Sequence, residues 1–344
     1  MINEQEKSNG NDMSCASIII SCYKRTELIW AIINSIANQN ISFDEYEIIL
    51  ADSHSCIENE TLPERARLEY PRLQISIHHT KNILSAKRNL GRSVAKYEWL
   101  VFLDDDCIPS ENWLKTFRKD LKTYGEKTIL CGEVHYERES MKRNRFLKWR
   151  KQVEDSAYFR GAQLDYRNIV VMNLGLHRDT FDKIGGFSEL FIGYGMEDQE
   201  FGWRALKMGI KMQRTSASIY HRDSVLSFED YFRKMYFNGR DGARHLLNHF
   251  PEIHSSIQSY KFVDPDYLHQ SSINHYLFRV FRALIFQKSF CMGILFLLKR
   301  SKLFREIAPL FLFRYLAMFS FIEGAKDRRK NLPSEGIWYN GRDL

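Results

Sequence analysis

Short apolar runs that end in polar residues alternate along this chain with stretches whose apolar positions recur every three or four residues. Runs of the first kind predict strands and the second kind predict helices. Ala16–Ser21 (ASIIIS) is β-branched and reads as a first strand. Thr26 can cap a helix whose Leu28, Ile29, Ile32, Ile33 and Ile36 share a face. Glu47–Ala51 reads as a second strand, ending in Asp52-Ser53, and Leu73–Ile77 alternates as a third. Ser85–Val94 reads as a short helix leading into Trp99–Leu103, an apolar run that stops at Asp104-Asp105-Asp106, then Cys107 and Pro109. Ser110 can cap a helix presenting Trp113, Leu114, Phe117 and Leu121, and Thr128–Val134 reads as a further strand.

Strand and helix alternating over short connections predict an open, mostly parallel α/β sheet with helices on both faces. In such a sheet the ends of the first, second and fourth strands share one edge, where open sheets bind ligands. Met141–Arg167 is polar and basic and reads as an excursion or loop. Ile169–Leu174 reads as a strand, Asp179–Gly185 as a short helix, and Gly185-Gly186-Phe187 follows. A glycine-rich, then acidic run, Gly193 to Glu200, opens a helix that carries Phe201, Leu206 and Met208 and stops at Gly209. Ser218–Tyr220 reads as a last short strand, ending at His221. Past Phe228 the pattern is helical, aromatic and basic.

Composition changes this picture in two places. The six cysteines are scattered without a CxxC pair, which suits reduced thiols in the cytoplasm. Residues 1–15 are polar, carry no apolar signal core and read as a disordered lead-in. The net charge of +7 is concentrated late, since residues 270–330 hold twelve Lys/Arg against three Asp/Glu. Those charges sit among leucines and aromatics, and no motif of a nucleic-acid module accompanies them. The two most apolar windows, Leu284–Leu298 and Ile307–Ile322, are interrupted by Lys288 and Arg314 and fall short of the roughly 20 clean residues of a spanning helix. They read as interfacial helices on an anionic membrane surface, or alternatively as core helices of the same domain.

Three carboxylates at the end of a buried strand cost energy unless a cation neutralises them. Asp104–Asp106 is therefore a metal site or, failing that, a solvated acidic turn. Glu197-Asp198 is a candidate general base at a helix start, or an ordinary acidic cap.

The order SIIISCYKR, LADS, SAKRNLG, FLDDDC, GGF, GMEDQEFGWR and then a lone His resembles inverting family 2 glycosyltransferases of the GT-A fold. The GMEDQEFGWR part is also similar to the carboxyl-terminal segment of galactosyl- and N-acetylgalactosaminyltransferases. The resemblance runs from Ala16 to Arg222 and implies a GT-A domain over 16–225, with a nucleotide half (16–135) and an acceptor half (165–225), followed by a helical, basic, membrane-proximal extension over 226–344. It implies transfer from a UDP-sugar to a hydroxyl of a glycan or lipid-linked glycan, with Mn2+ or Mg2+, on the cytoplasmic face of a membrane. By the family pattern Asp104 and Asp106 form the DxD pair, one touching the ribose or sugar and the other, Asp106, ligating the metal with His221 as a further ligand; Asp104 is a candidate for either role, and Asp105, the hardest to place, would be held by backbone amides or face the donor sugar. Asp198 is the base and Glu197 bonds a sugar, roles that could be exchanged. Cys22, Tyr23, Arg25 and Asp52 would hold the uridine, and Arg88 and Asn89 the nucleotide. Gly195, Met196 and Trp203 fall on the acceptor side. The chain departs from the pattern at Asp52-Ser53, where many relatives carry two acids, and at Lys87, where a small residue is usual; Lys87 would contact phosphate or sit in solvent. Two rival readings are a sugar-nucleotide pyrophosphorylase, which would want glycine in the SCYKRTE loop, and a catalytically inactive sugar-binding or membrane scaffold protein.

Overall fold

The computed structural model describes residues 15–53, 57–135, 144–158, 164–193, 195–222, 227–256, 261–262, 264, 269 and 271–327. The lead-in expected over 1–15 lies almost wholly outside them.

The first strand β1 (Ala16–Ser21) is buried along its whole length, as a run of isoleucines flanked by strands on both sides requires. It pairs in parallel with β2 (Tyr46–Asp52) and with β4 (Trp99–Asp104), and β2 pairs in parallel with β3 (Ile75–His79). The remaining strands are β5 (Cys107–Pro109), β6 (Thr128–His135), β7 (Asn173–His177) and β8 (Lys211–His221), giving the order β3-β2-β1-β4-β7-β6-β8-β5. Pairings β4/β7, β6/β7 and β5/β8 are antiparallel, so the sheet is mixed, with four of its seven pairings parallel. Alternation along β1 divides the core, with Ile18 and Ile20 on one face and Ile19 on the other. The first face takes α1 (Thr26–Ala37), α2 (Leu62–Glu69) and α4 (Trp113–Tyr124). The other takes the glycine face of α3 (Leu84–Val94), where a Cβ on Gly91 would lie 2.2 Å from Ile19, and α6 (Arg178–Ile184) and α7 (Glu197–Lys207).

Four elements differ from the sequence expectation, each for a physical reason. Arg145–Tyr158, inside the expected loop, is a helix (α5) whose Phe146, Leu147 and Trp149 are buried among the later helices. β7 begins at Asn173 rather than Ile169, because Val171 and Met172 form a turn whose Val171 N–H donates to Asp198 at 3.2 Å. β8 is eleven residues long, its inward positions including Thr215, Ala217 and His221, which carry little apolar signal. The late apolar windows also divide differently. Helices α8 (Phe228–Phe237) and α9 (Arg244–His249) are joined by a π turn, Asn238–Ala243. Helix α8 and that turn pack on α13 (Leu310–Lys326), which is buried, so Ile307–Ile322 is mostly core and not interface. Glycines allow that crossing: a Cβ on Gly239 would lie 2.0 Å from the Phe321 carbonyl oxygen, and one on Gly324 would lie 1.8 Å from that of Tyr236.

Between them lie α10 (Ile273–Ile285), α11 (Lys288–Arg300) and α12 (Lys302–Ile307). On α10, Ile273, Tyr276, Leu277, Val280, Phe281 and Leu284 form a helical stripe, all exposed, Ile273 by 74% and Leu284 by 72%. Ile273–Arg300 contains an 18-residue window of mean hydropathy 1.6 that is 6% buried, so by length and composition alone it is apolar enough to cross a membrane. The helix geometry breaks at Phe286-Gln287 within it.

Candidate functional site: a carboxylate cluster at the strand ends

Register brings the predicted residues together. Ser21 stands opposite both Ala51 and Asp104, so Cys22, Asp52 and the aspartate triplet emerge at one edge. After β1 the chain turns through Lys24 (φ 56) and Arg25 (φ 50), two successive non-glycine residues in the left-handed region. Met196 (φ 78), immediately before α7, is the third such residue among those described, and all three border the site. Left-handed backbone of this kind costs about 1–3 kcal/mol per residue and persists where the surroundings impose it.

Here the surroundings are Asp105, the middle member of the triplet. Its carboxylate accepts from the Tyr23 backbone N–H at 2.7 Å and from Arg25 Nη1 at 2.8 Å. The same Arg25 nitrogen donates to Asp106 Oδ2 at 2.7 Å. Burial, opposed by Arg25, lifts Asp105 to about 7. Burial works against the Asp106 anion too, but facing His221 and Arg25 hold that carboxyl well below the usual range.

His221 Nε2 lies 3.3 Å from Asp106 Oδ1, and Cys107 Sγ lies 3.4 Å from the same oxygen. Asp106, Cys107 and His221 each bring one donor atom to within 4.8 Å of the others. Nitrogen, oxygen and sulfur ligands sit about 2.0–2.3 Å from a divalent transition ion, so donors at this spacing suit one shared ion. Asp104, placed by the family pattern in the same DxD pair, is turned the other way, toward Arg88.

Arg88, on α3 and 2% exposed, joins the two halves of the site. Its Nη2 donates to Asp104 at 3.3 Å, and its Nη1 to Glu197 at 3.3 Å and Asp198 at 3.2 Å. One guanidinium therefore bonds both the strand-end carboxylate and the pair that opens α7. Burial and neighbouring Glu197 raise Asp198 to about 7 against the opposing pull of Arg88. Asp104 is raised by burial, again against Arg88. Of the α7 pair, the Asp198 side chain is 20% exposed and that of Glu197 10%.

Lys87 is buried and not in solvent. Its Nζ donates to the Cys22 carbonyl at 2.6 Å and to Asn82 at 3.1 Å, and burial lowers it to about 8. Asp52 accepts from Ser53 N–H at 2.6 Å and from Asn59 at 2.8 Å. The Cys22 thiol donates to the Ile20 carbonyl and is pushed well up by burial, which leaves the residue's carbonyl as the group it presents to the site. Asn89 is engaged elsewhere: it donates to the Phe187 carbonyl and Glu189 and accepts from Phe187 N–H. With Arg204, which donates to the Gly186 carbonyl at 2.7 Å, it clamps the left-handed Gly185-Gly186 turn against α3 and α7. Gly195 (φ +89) rests on Asn238 of the π turn, where a Cβ would lie 2.9 Å from that amide. Trp203 is half-buried against the second core, with the Lys207 amine 5.3 Å from its ring. Sequence reasoning missed Cys107, Asn59, Asn82 and the π turn. Only Cys107 offered a signal, its place beside the triplet on a strand end.

The fold sets the class. Over 91% of this chain and 88% of the other, it aligns with TM-score 0.56 and 13% identity on a mannosyltransferase from Pyrobaculum calidifontis in complex with GDP-Man and Mn2+, a GT-A transferase architecture. In sequence, residues 17–185 match glycosyl transferase family 2, and residues 152–226 match the N-terminal domain of galactosyltransferase. The chain therefore carries a glycosyl transferase family 2 domain. It is 24% identical over 241 residues to chondroitin synthase of Escherichia coli, covering 60% of this chain and 34% of the relative. It is 24% identical over 225 residues to hyaluronan synthase of Pasteurella multocida, covering 56% and 23%. To the poly(ribitol-phosphate) beta-N-acetylglucosaminyltransferase TarP of Staphylococcus aureus it is 29% identical over 115 residues, covering 33% and 34%. The matched region thus spans about a quarter to a third of these relatives' own length.

Proposed function

We propose that this protein is a metal-dependent inverting glycosyltransferase that moves a sugar from a UDP-sugar to a hydroxyl of a glycan or lipid-linked glycan, in surface polysaccharide or oligosaccharide assembly. The observation that carries the reading is Arg88, which ties the strand-end Asp104 to the Glu197-Asp198 pair in one buried network. The donor half of the site ends at Asp104 and Asp106, and the base half begins at Asp198. Asp52, at the end of β2 and bonded to Ser53 and Asn59, would accept the uracil imide N–H. Tyr23 offers a ring beside the base, and Arg25 a cation near the phosphates.

Asp106 and His221 would hold Mn2+ or Mg2+, which supplies positive charge next to the departing diphosphate. Asp198 serves as base because it is the more exposed of the pair and its raised carboxyl titrates near working pH. It takes the proton of the acceptor hydroxyl; that oxygen bonds the anomeric carbon, and the bond to UDP breaks with its electron pair leaving on the diphosphate. One base on the face opposite the leaving group gives inversion. Glu197 bonds a sugar hydroxyl, and Gly195, Met196 and Trp203 border the acceptor.

The exposed stripe of α10, with α11 and α12, seats the enzyme peripherally on an anionic membrane surface. Each of α10 and α11 has 13 residues, about 20 Å of helix against a hydrocarbon core of about 30 Å, so each lies in the interface. Seven Lys/Arg against one Glu between Ile273 and Ile307 supply the attraction. The test is UDP release with Mn2+ and a panel of UDP-sugars and glycan acceptors. Asp198→Asn should lower kcat about 10²–10⁴-fold, the usual worth of a general base. Transfer at the unaltered rate by Asp198→Asn and by Asp106→Asn would refute the mechanism.

A further inference from the structure

We propose that the Cys107 thiol is a third protein ligand of the Asp106–His221 ion, so that the site carries a sulfur donor and prefers zinc-like ions over magnesium. The proposal rests on the metal-dependent reading above and asks which donors surround the ion. Cys107 and His221 are direct partners in the antiparallel β5/β8 register. Residues facing one another in such a pair project to the same side of the sheet. Both side chains then converge on one atom, Asp106 Oδ1, the sulfur at 3.4 Å and the imidazole nitrogen at 3.3 Å. Asp106 Oδ2 is meanwhile bonded to Arg25, which fixes the carboxylate with Oδ1 toward the other two donors.

The donor set decides the ion. Magnesium wants near-octahedral oxygen ligands, whereas carboxylate, imidazole and thiolate together suit zinc, cobalt and cadmium. Ion binding breaks the Cys107 S–H bond, its proton leaves to water and the sulfur lone pair goes to the ion. Thiolate and Asp106 carboxylate then balance the two positive charges, and neutral His221 completes the set. Cys107 is fully buried, so the donor is protected from bulk oxidants. In the opposing account Cys107 is a small core residue with a weak S–H···O bond to Asp106, and these two accounts differ in spectroscopy.

The experiment is optical titration of the full-length protein with Co2+. Wild type should show visible ligand-field bands together with a near-ultraviolet sulfur-to-cobalt charge-transfer band. Cys107→Ser and Cys107→Ala should keep the visible bands and lose the ultraviolet one. Their Cd2+ affinity should fall at least about tenfold, the scale on which disturbing a ligand's support already acts, with Mn2+ affinity little changed. Cadmium NMR of the unsubstituted protein reads the sulfur ligand directly if the variants fold poorly. Visible bands without a charge-transfer band in wild type, or a band that survives in both variants, would overturn the sulfur ligand alone. Absence of any cobalt spectrum in wild type would overturn it together with the metal-dependent reading.

Discussion

Arg88→Met strips the cation from three carboxylates while keeping a similar apolar stem. Asp104, Glu197 and Asp198 each lie 3.2–3.3 Å from a guanidinium nitrogen that is almost sealed from water. Removing one partner of a buried pair costs about 3–5 kcal/mol, and one cation serving three anions puts the expectation at the upper end. The chain can recover part of that by keeping a carboxylate protonated. Asp198 is already lifted to about 7, held from rising further by Arg88. Without that cation its carboxyl moves up again. Two consequences have definite signs. An ionised base is needed, so kcat/KM of the wild type rises with pH through about 7, and in Arg88→Met that limb moves to higher pH. The stability deficit is smallest in acid, where Asp104 and Asp198 stay protonated, and grows as pH rises and they ionise without their cation. Arg88→Lys should fall between the two, since an ammonium is a point donor that cannot serve three carboxylates as a planar fork does. The assays are urea denaturation at several pH values and the pH profile of kcat/KM. An Arg88→Met protein with wild-type stability at pH 8 and an unmoved acidic limb would refute the coupling.

The crossing of α8 and α13 predicts that Gly324→Ala is destabilising, because its Cβ would lie 1.8 Å from the Tyr236 carbonyl oxygen and backbone must move. Overpacking of this kind costs about 1–3 kcal/mol, and a denaturation midpoint equal to wild type would contradict the close approach. For the membrane face, Phe281→Glu with Leu284→Glu removes two exposed apolar anchors, each worth about 1.5–3 kcal/mol when buried. Sedimentation with anionic vesicles should drop by about two orders of magnitude while UDP release without membranes is kept; undiminished binding would exclude α10 as the contact. Binding of the unsubstituted protein should also weaken as salt is raised from 0.1 to 0.5 M, because the Lys/Arg-rich flank acts through a screened attraction.

Buried strands declare themselves in sequence, because an unbroken apolar run has no other economical place; β1 (ASIIIS) and β4 (WLVFLD) were legible for that reason. The acidic cluster was legible as a candidate site for a related reason, since charge at the end of such a run demands a partner. What spacing cannot carry is the partner's identity, which depends on elements 80 to 110 residues away: Asp105 with Tyr23 and Arg25, and Arg88 with Glu197 and Asp198. Of the two settings open to Lys87 in sequence, solvent is excluded only by the Cys22 carbonyl and Asn82 that hold its buried amine, neither of which composition reveals. The two late apolar windows were the nearer miss. The second, Ile307–Ile322, falls mostly in α13, while the exposed stripe lies just ahead of the first, on α10, and the patterns of these two helices differ in a way that predicts their fates. In α13 apolar residues run all around the helix, so no orientation satisfies them except enclosure. In α10 they form one stripe, at positions 273, 276, 277, 280, 281 and 284, with Arg279 and Arg282 off it. A one-sided helix needs only one apolar neighbour, and among the described residues none covers it. That asymmetry, rather than total hydrophobicity, separates the helix that completes the core from the helix proposed to face a membrane.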